Sequence, residues 1–213
     1  MNSSDFRHRA WSKLSGNWGG PIAVVLIQML LIGVVSGISF GIGTIIVVGP
    51  LLVGVSGYFV NFALSKNPRF EDMFDGFKNC FGNSIVLYLL TMLFTFLWSL
   101  LLIIPGIIKQ YAYSMAPYIM AENPMMTATE ALDESQRIMK GHKMDLFILQ
   151  LSFIGWFLLV IITFGIALIW VAPYIEAARA EFYLEISGGN ETPVDTNDVL
   201  VDKSEDSFDA FLK

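Results

Sequence analysis

Charged positions are spread so unevenly along this chain that candidate membrane spans can be read from the gaps between them. Residues 14–65, 79–108 and 146–175 contain no Asp, Glu, Lys or Arg, and together they make up more than half of the 213 residues. An uncharged apolar stretch beyond about 18 residues reads as a membrane helix. The pattern predicts an all-α, polytopic membrane helical bundle of about six transmembrane helices paired as three hairpins. The first run holds two spans, over residues 20–40 and 45–65, turning near Gly41-Ile42-Gly43-Thr44 and closing at Ser65-Lys66-Asn67-Pro68. The second gives a span over 84–104, with Pro105-Gly106 as its turn signal. Residues 107–121 make a short fourth span, only about 22 Å at 1.5 Å per residue, with Lys109 snorkelling to the outer face. The third run gives spans over 145–163 and 166–186, parted at Thr163-Phe164-Gly165 and stopped by Gly188-Gly189.

Between the hairpins the period changes. Phe70, Phe74, Phe77 and Phe81 form one apolar stripe opposite Asp72, Asp75, Lys78 and Asn79, which predicts an interfacial amphipathic helix over 68–83. Residues 126–140 place Ala128, Ala131, Leu132, Ser135, Ile138 and Met139 on one side, either for the interface or to cover other helices. Phe6, Ala10, Trp11 and Leu14 make a shorter third version. Each stripe leads to a glycine with a polar neighbour, at Gly16-Asn17, Gly82-Asn83 and Gly141-His142, and then to a hairpin. This succession suggests a threefold internal repeat, against the alternative that Gly, Asn and Pro recur at any membrane helix end.

Composition agrees with the gaps: 54% of residues are hydrophobic and 15% charged, against about 25% charged in a soluble domain. The net charge of -6 belongs mostly to residues 189–213, which divides the chain into an integral membrane domain, 1–188, and an acidic cytoplasmic tail, 189–213, expected to be disordered. No concentrated basic surface exists, so no nucleic acid is expected as a partner. Arg7, Arg9, Lys13, Lys66, Arg69, Lys78, Arg137, Lys140 and Lys143 all fall on one side if both termini are cytoplasmic, as the positive-inside rule prefers. The apolar run after Lys13 is far longer than a signal-peptide core of about 7–15 residues and is expected to stay in the membrane.

Candidate chemistry is sparse. His8 and His142 are the only histidines and Cys80 the only cysteine. No metal, nucleotide or nucleophile motif occurs, so neither a cofactor nor an enzymatic activity is expected. Asp72 with Asp75, and Glu130 with Asp133, fit solvated helix faces. The charges that stand out are Glu176 and Arg179, placed at i, i+3 within the last span. A charge at the bilayer centre costs at least about 2.5 to 3.5 kcal/mol, so the two either neutralise each other or line a polar pathway. Gly33, Gly37 and Gly41 form two consecutive Gly-x-x-x-Gly steps, suited to packing the first span on the second or on a second copy.

Several stretches carry a family resemblance. Arg9-Ala10 followed by Leu14-Ser15-Gly16-Asn17-Trp18-Gly19, then Ile104-Pro105-Gly106-Ile107-Ile108-Lys109, Met139-Lys140-Gly141-His142-Lys143 and Leu151-Ser152-Phe153-Ile154-Gly155-Trp156, with Pro173-Tyr174 to Phe182-Tyr183, occur in order. In this it resembles the integral membrane proteins, found mainly in Gram-positive bacteria, grouped as domain of unknown function 975. A looser similarity, in Ala131 to Gly141 and the following hairpin, is to the membrane domains attached to some glycerophosphodiester phosphodiesterases, whose catalytic domain has no counterpart in this sequence. The first resemblance implies a multi-pass protein of the bacterial cytoplasmic membrane and supplies no catalytic residues. The expected role is non-enzymatic, through helix packing and contacts with membrane lipids, another membrane protein or a homo-oligomer, as an accessory, envelope-stress or peptide-immunity factor. The alternative is a small transporter or channel with its polar site at Glu176 and Arg179.

Overall fold

The structure, a computed structural model, describes residues 3–38, 42–101 and 103–188. Gly41 and the acidic tail 189–213 lie outside the described residues. Those described form helices in the order α1 Ser3–Leu14, α2 Gly19–Ile38, α3 Ile42–Ala63, α4 Asp75–Asn79, α5 Phe81–Leu101, α6 Ile103–Tyr113, α7 Ala116–Glu122, α8 Ala128–Ile138, α9 Lys143–Leu151, α10 Ile154–Ile162 and α11 Leu168–Ser187. A 3-10 turn, Phe70–Phe74, precedes α4.

Four stretches are long and apolar enough to cross a membrane: Gly19–Ile38, Gly43–Ala63, Phe81–Leu100 and Lys143–Ile162, the last running through α9 and α10. The expected six are therefore four, and the two that differ have separate physical causes. The first is 107–121, which is broken between α6 and α7. Pro117 starts α7, and Ser135 of α8 takes over the backbone groups that the break frees: its Oγ accepts from Met115 N–H at 3.2 Å and donates to Ala112 C=O at 2.7 Å. Lys109 donates to Gln136 of α8 at 2.8 Å and sits over the rings of Trp98 and Tyr113.

The second is 166–186. It does form one helix, α11, but Glu176, Arg179, Glu181 and Glu185 make it too polar to face lipid. The bundle instead surrounds it: Val171, Tyr174, Ala177, Ala178, Ala180, Glu181, Phe182, Tyr183 and Leu184 are all buried. Glu181, 1% exposed, is held by Lys13 and Arg9 from α1, and Arg9 also pairs with Glu185 at 3.0 Å. Gly188, in the left-handed region at φ 77°, ends the helix.

The Phe70–Phe81 stripe is also rebuilt. Rather than one amphipathic helix over 68–83, the chain makes the 3-10 turn, then α4, then a break at Cys80 before α5. The face pressed into the bundle is Met73, Gly76 and Cys80, while Phe70 and Phe81 are exposed. The cause is contact distance: a Cβ on Gly76 would collide with the Pro50 carbonyl, and one on Gly54 with the Met73 carbonyl, so backbone meets backbone where α4 crosses α3. Large rings cannot occupy such a seam, and the stripe of phenylalanines turns aside. In 126–140, by contrast, Ala128, Ala131, Leu132, Ser135 and Ile138 are buried as the pattern implies, and a Thr127–Glu130 capping box starts α8.

Exposed apolar side chains run along the long apolar helices, from Leu26 to Ile38 on α2, from Val86 to Leu100 on α5 and from Phe147 to Ile162 on α9 and α10. Such a surface calls for an apolar surrounding phase. The three hairpins are built differently, since the second has a broken return limb and the third a bend at Ser152–Phe153 between α9 and α10.

Candidate functional site

Glu176 and Arg179 lie one turn apart on α11, and Arg179 Nη1 donates to Glu176 Oε1 at 3.4 Å. The second carboxylate oxygen, Oε2, accepts from the Tyr118 hydroxyl of α7 at 3.2 Å, and Ser56 of α3 lines the same cavity. Tyr118 is fixed from behind by stacking on Tyr183, with centroids 5.4 Å apart, and the Tyr183 hydroxyl donates to Glu122 at 2.6 Å. A chain of oriented groups thus joins α7 to α11.

The pair is not sealed in protein. Glu176 and Arg179 keep 30% and 27% of their side-chain surface accessible, and both border a half-open cavity of about 260 Å³ lined by α2, α3, α5, α6, α7 and α11. Gln28, Tyr88, Thr91 and Gln110 add polar groups to walls otherwise made by Leu52, Val55 and Leu87. The volume holds several waters at about 30 Å³ each, or a small solute. Arg179 Nε is buried with no hydrogen-bond partner among the described residues. A mostly apolar cavity with a few convergent polar groups is the usual form of a small-molecule site.

Sequence spacing brought Glu176 and Arg179 together, and the structure joins them directly. It misses Tyr118, Gln110 and Gln28, which reach the cavity from elements far apart in the chain. Gln28 did leave a signal, as the only side-chain amide within residues 20–40. The remaining candidates lie elsewhere. Gly33 and Gly37 are exposed on α2, and a Cβ on either would meet nothing within 4 Å, so neither packs against another helix of this chain. Glycines that do permit close approach include Gly49 against the Ser84 carbonyl, Gly54, Gly76 and Gly106 against Ser99. Phe74 and Phe77 pack partly against the core, and Phe70 and Phe81 face outward. Cys80 is buried, and burial pushes its thiol above the ordinary value, away from nucleophilic reactivity. His142 Nδ1 lies 3.1 Å from Asp145 at the start of α9.

A family model described as "Protein of unknown function (DUF975)" matches residues 1–109 and 99–190. No curated protein and no solved structure matches the chain.

Proposed function

The chain belongs to the DUF975 family of proteins of unknown function, and from that premise we propose that it is a non-enzymatic, multi-pass protein of the bacterial cytoplasmic membrane, with both termini inside, that binds a small zwitterionic solute at Glu176 and Arg179 and passes it across the bilayer. The observation that carries this reading is the ion pair open to a cavity between the helices. Two charges that served only to cancel each other would be packed over, because an unfilled polar space inside a bundle gains nothing for the fold. A solute ammonium can replace Arg179 at Glu176 while its carboxylate replaces Glu176 at Arg179. Binding then exchanges one neutral pair for two and leaves no charge unmatched. Tyr118 holds the carboxylate in place during the exchange.

Uptake of a panel of radiolabelled amino acids and dipeptides into proteoliposomes tests the proposal. Glu176→Gln is expected to lower uptake about tenfold or more, since it strands a guanidinium in the cavity wall. No uptake of any member, or uptake unchanged by the substitution, would count decisively against it. A second reading, helix packing with another membrane protein or a second copy, draws on the open face at Gly33 and Gly37. Cross-linking through cysteines placed at those positions distinguishes it.

A further inference from the structure

Tyr174 and Glu176 are two residues apart, hence about 200° apart around a helix of 3.6 residues per turn, and a different cavity lies on the Tyr174 side of α11. Its walls are Trp11 of α1, Trp18, Trp156 of α10, Trp170 and Tyr174, enclosing about 270 Å³ that is almost wholly apolar. The rings brace one another edge to face: Trp11 stands 5.5 Å from Trp18 and 5.6 Å from Tyr174, and Trp156 stands 5.9 Å from Tyr174. The groove continues, past Trp11, Trp156 and Tyr174, into an opening of about 350 Å³ bordered by Arg7 and His8.

The charges on α1 are treated unequally. Arg9 and Lys13 are engaged by Glu181 and Glu185. Arg7 has no carboxylate partner among the described residues: its Nη1 donates to the Ser152 carbonyl at 3.3 Å and its Nε is buried without a partner. An unmatched cation at the mouth of an aromatic groove is complementary to an amphiphile with an anionic head. Four apolar helices place the chain among such molecules, and Trp and Tyr suit the depth where headgroup meets acyl chain.

We propose that this groove is a specific site for one anionic phospholipid, its phosphate at Arg7 and one acyl chain along Trp11, Trp156, Trp170 and Tyr174. The bound lipid would bridge α1, α10 and α11. It is independent of the solute cavity and stands or falls separately from it.

Four of the five tryptophans line the groove, so in a Trp98→Phe background the fluorescence reports on it directly. The full chain would be placed in nanodiscs with graded fractions of a phospholipid brominated on its acyl chain, either phosphatidylglycerol or phosphatidylcholine. Bromine beside an indole quenches it. The anionic lipid is expected to reach half-quenching at about a fivefold lower fraction, the preference that one basic residue at the membrane surface supplies. Arg7→Gln should abolish the preference, and Lys66→Gln, an exposed cation elsewhere, should leave it intact. Equal quenching by both lipids, a preference that survives Arg7→Gln, or one that Lys66→Gln also removes would each overturn the proposal. If Arg7→Gln does not fold by circular dichroism, salt decides with the Arg7 chain: the preference must collapse between about 0.1 and 1 M, and persistence at the higher salt refutes it.

Discussion

Ser135 stands on α8 and completes the backbone of a segment twenty residues away. At the α6–α7 break, Met115 N–H and Ala112 C=O have lost their helical partners, and both are supplied by one hydroxyl that is itself fully buried. Removing it leaves two buried polar groups unpaired, each costing about 1–3 kcal/mol. Ser135→Ala is therefore expected to lower stability by about 2 kcal/mol or more in a denaturant titration in micelles followed by circular dichroism. Thr129→Ala, exposed on the same helix, should cost little. A Ser135→Ala chain as stable as its parent would mean that the break at 114–115 is satisfied by other groups. The same residue shows where sequence reading stops. Ser135 belongs visibly to an apolar stripe, but nothing local says that it will cap a distant break, because a hydroxyl's partner is chosen by tertiary proximity. Glu176 and Arg179 were legible for the opposite reason, since i, i+3 spacing is itself the contact.

Among the elements, α3 carries most of the glycine-fitted seams, with Gly106 of α6 against Ser99 of α5 as another. Gly49 admits the Ser84 carbonyl of α5, Gly54 the Met73 carbonyl, and Gly76 of α4 the carbonyl of Pro50. At these seams the obstacle to a side chain is backbone, which cannot rotate away. Gly76→Ala and Gly54→Ala are each expected to cost about 1–3 kcal/mol by forcing α4 off α3, whereas Gly33→Ala, facing open space, should be neutral or slightly stabilising through helix propensity. Thermal unfolding in detergent measures all three, and equal effects at Gly33 and Gly76 would contradict the packing described. Element limits were readable where a long apolar run met a charge, as at the end of α3 before Lys66, but not at Phe81, where α5 begins inside the stretch that reads as one helix over 68–83. The seam was not readable, because a stripe search weighs large side chains and the contact here is made by a missing one. The α11 helix was likewise placed in sequence but misjudged in environment: its charges disqualify it from lipid, and only the surrounding helices show what solvates them.

At the scale of the whole molecule the decisive feature is a tie between the two ends of the described chain. Arg9 reaches Glu185 at 3.0 Å and, with Lys13, Glu181, so α1 and the last turns of α11 lie together whatever the number of crossings between them. Ends bonded in this way cannot be on opposite sides of a bilayer, and the crossings must be even in number, as the four long apolar stretches are. The proposed cytoplasmic side rests on charge: Lys66, Arg69 and Lys78, between the second and third long apolar stretches, fall on the side of the tied ends, and the positive-inside rule favours the cytoplasm for them. Single cysteines at Ser4 and Ser187, in a Cys80→Ala background, are thus expected to resist a membrane-impermeant maleimide in intact cells and to react together once the membrane is opened. With four crossings a cysteine at Phe164, 98% exposed between α10 and α11, should label like both, whereas six crossings would make it respond differently from them. Labelling of position 4 without position 187 in intact cells would break the tie, and labelling of both would reverse the orientation while leaving the even count intact.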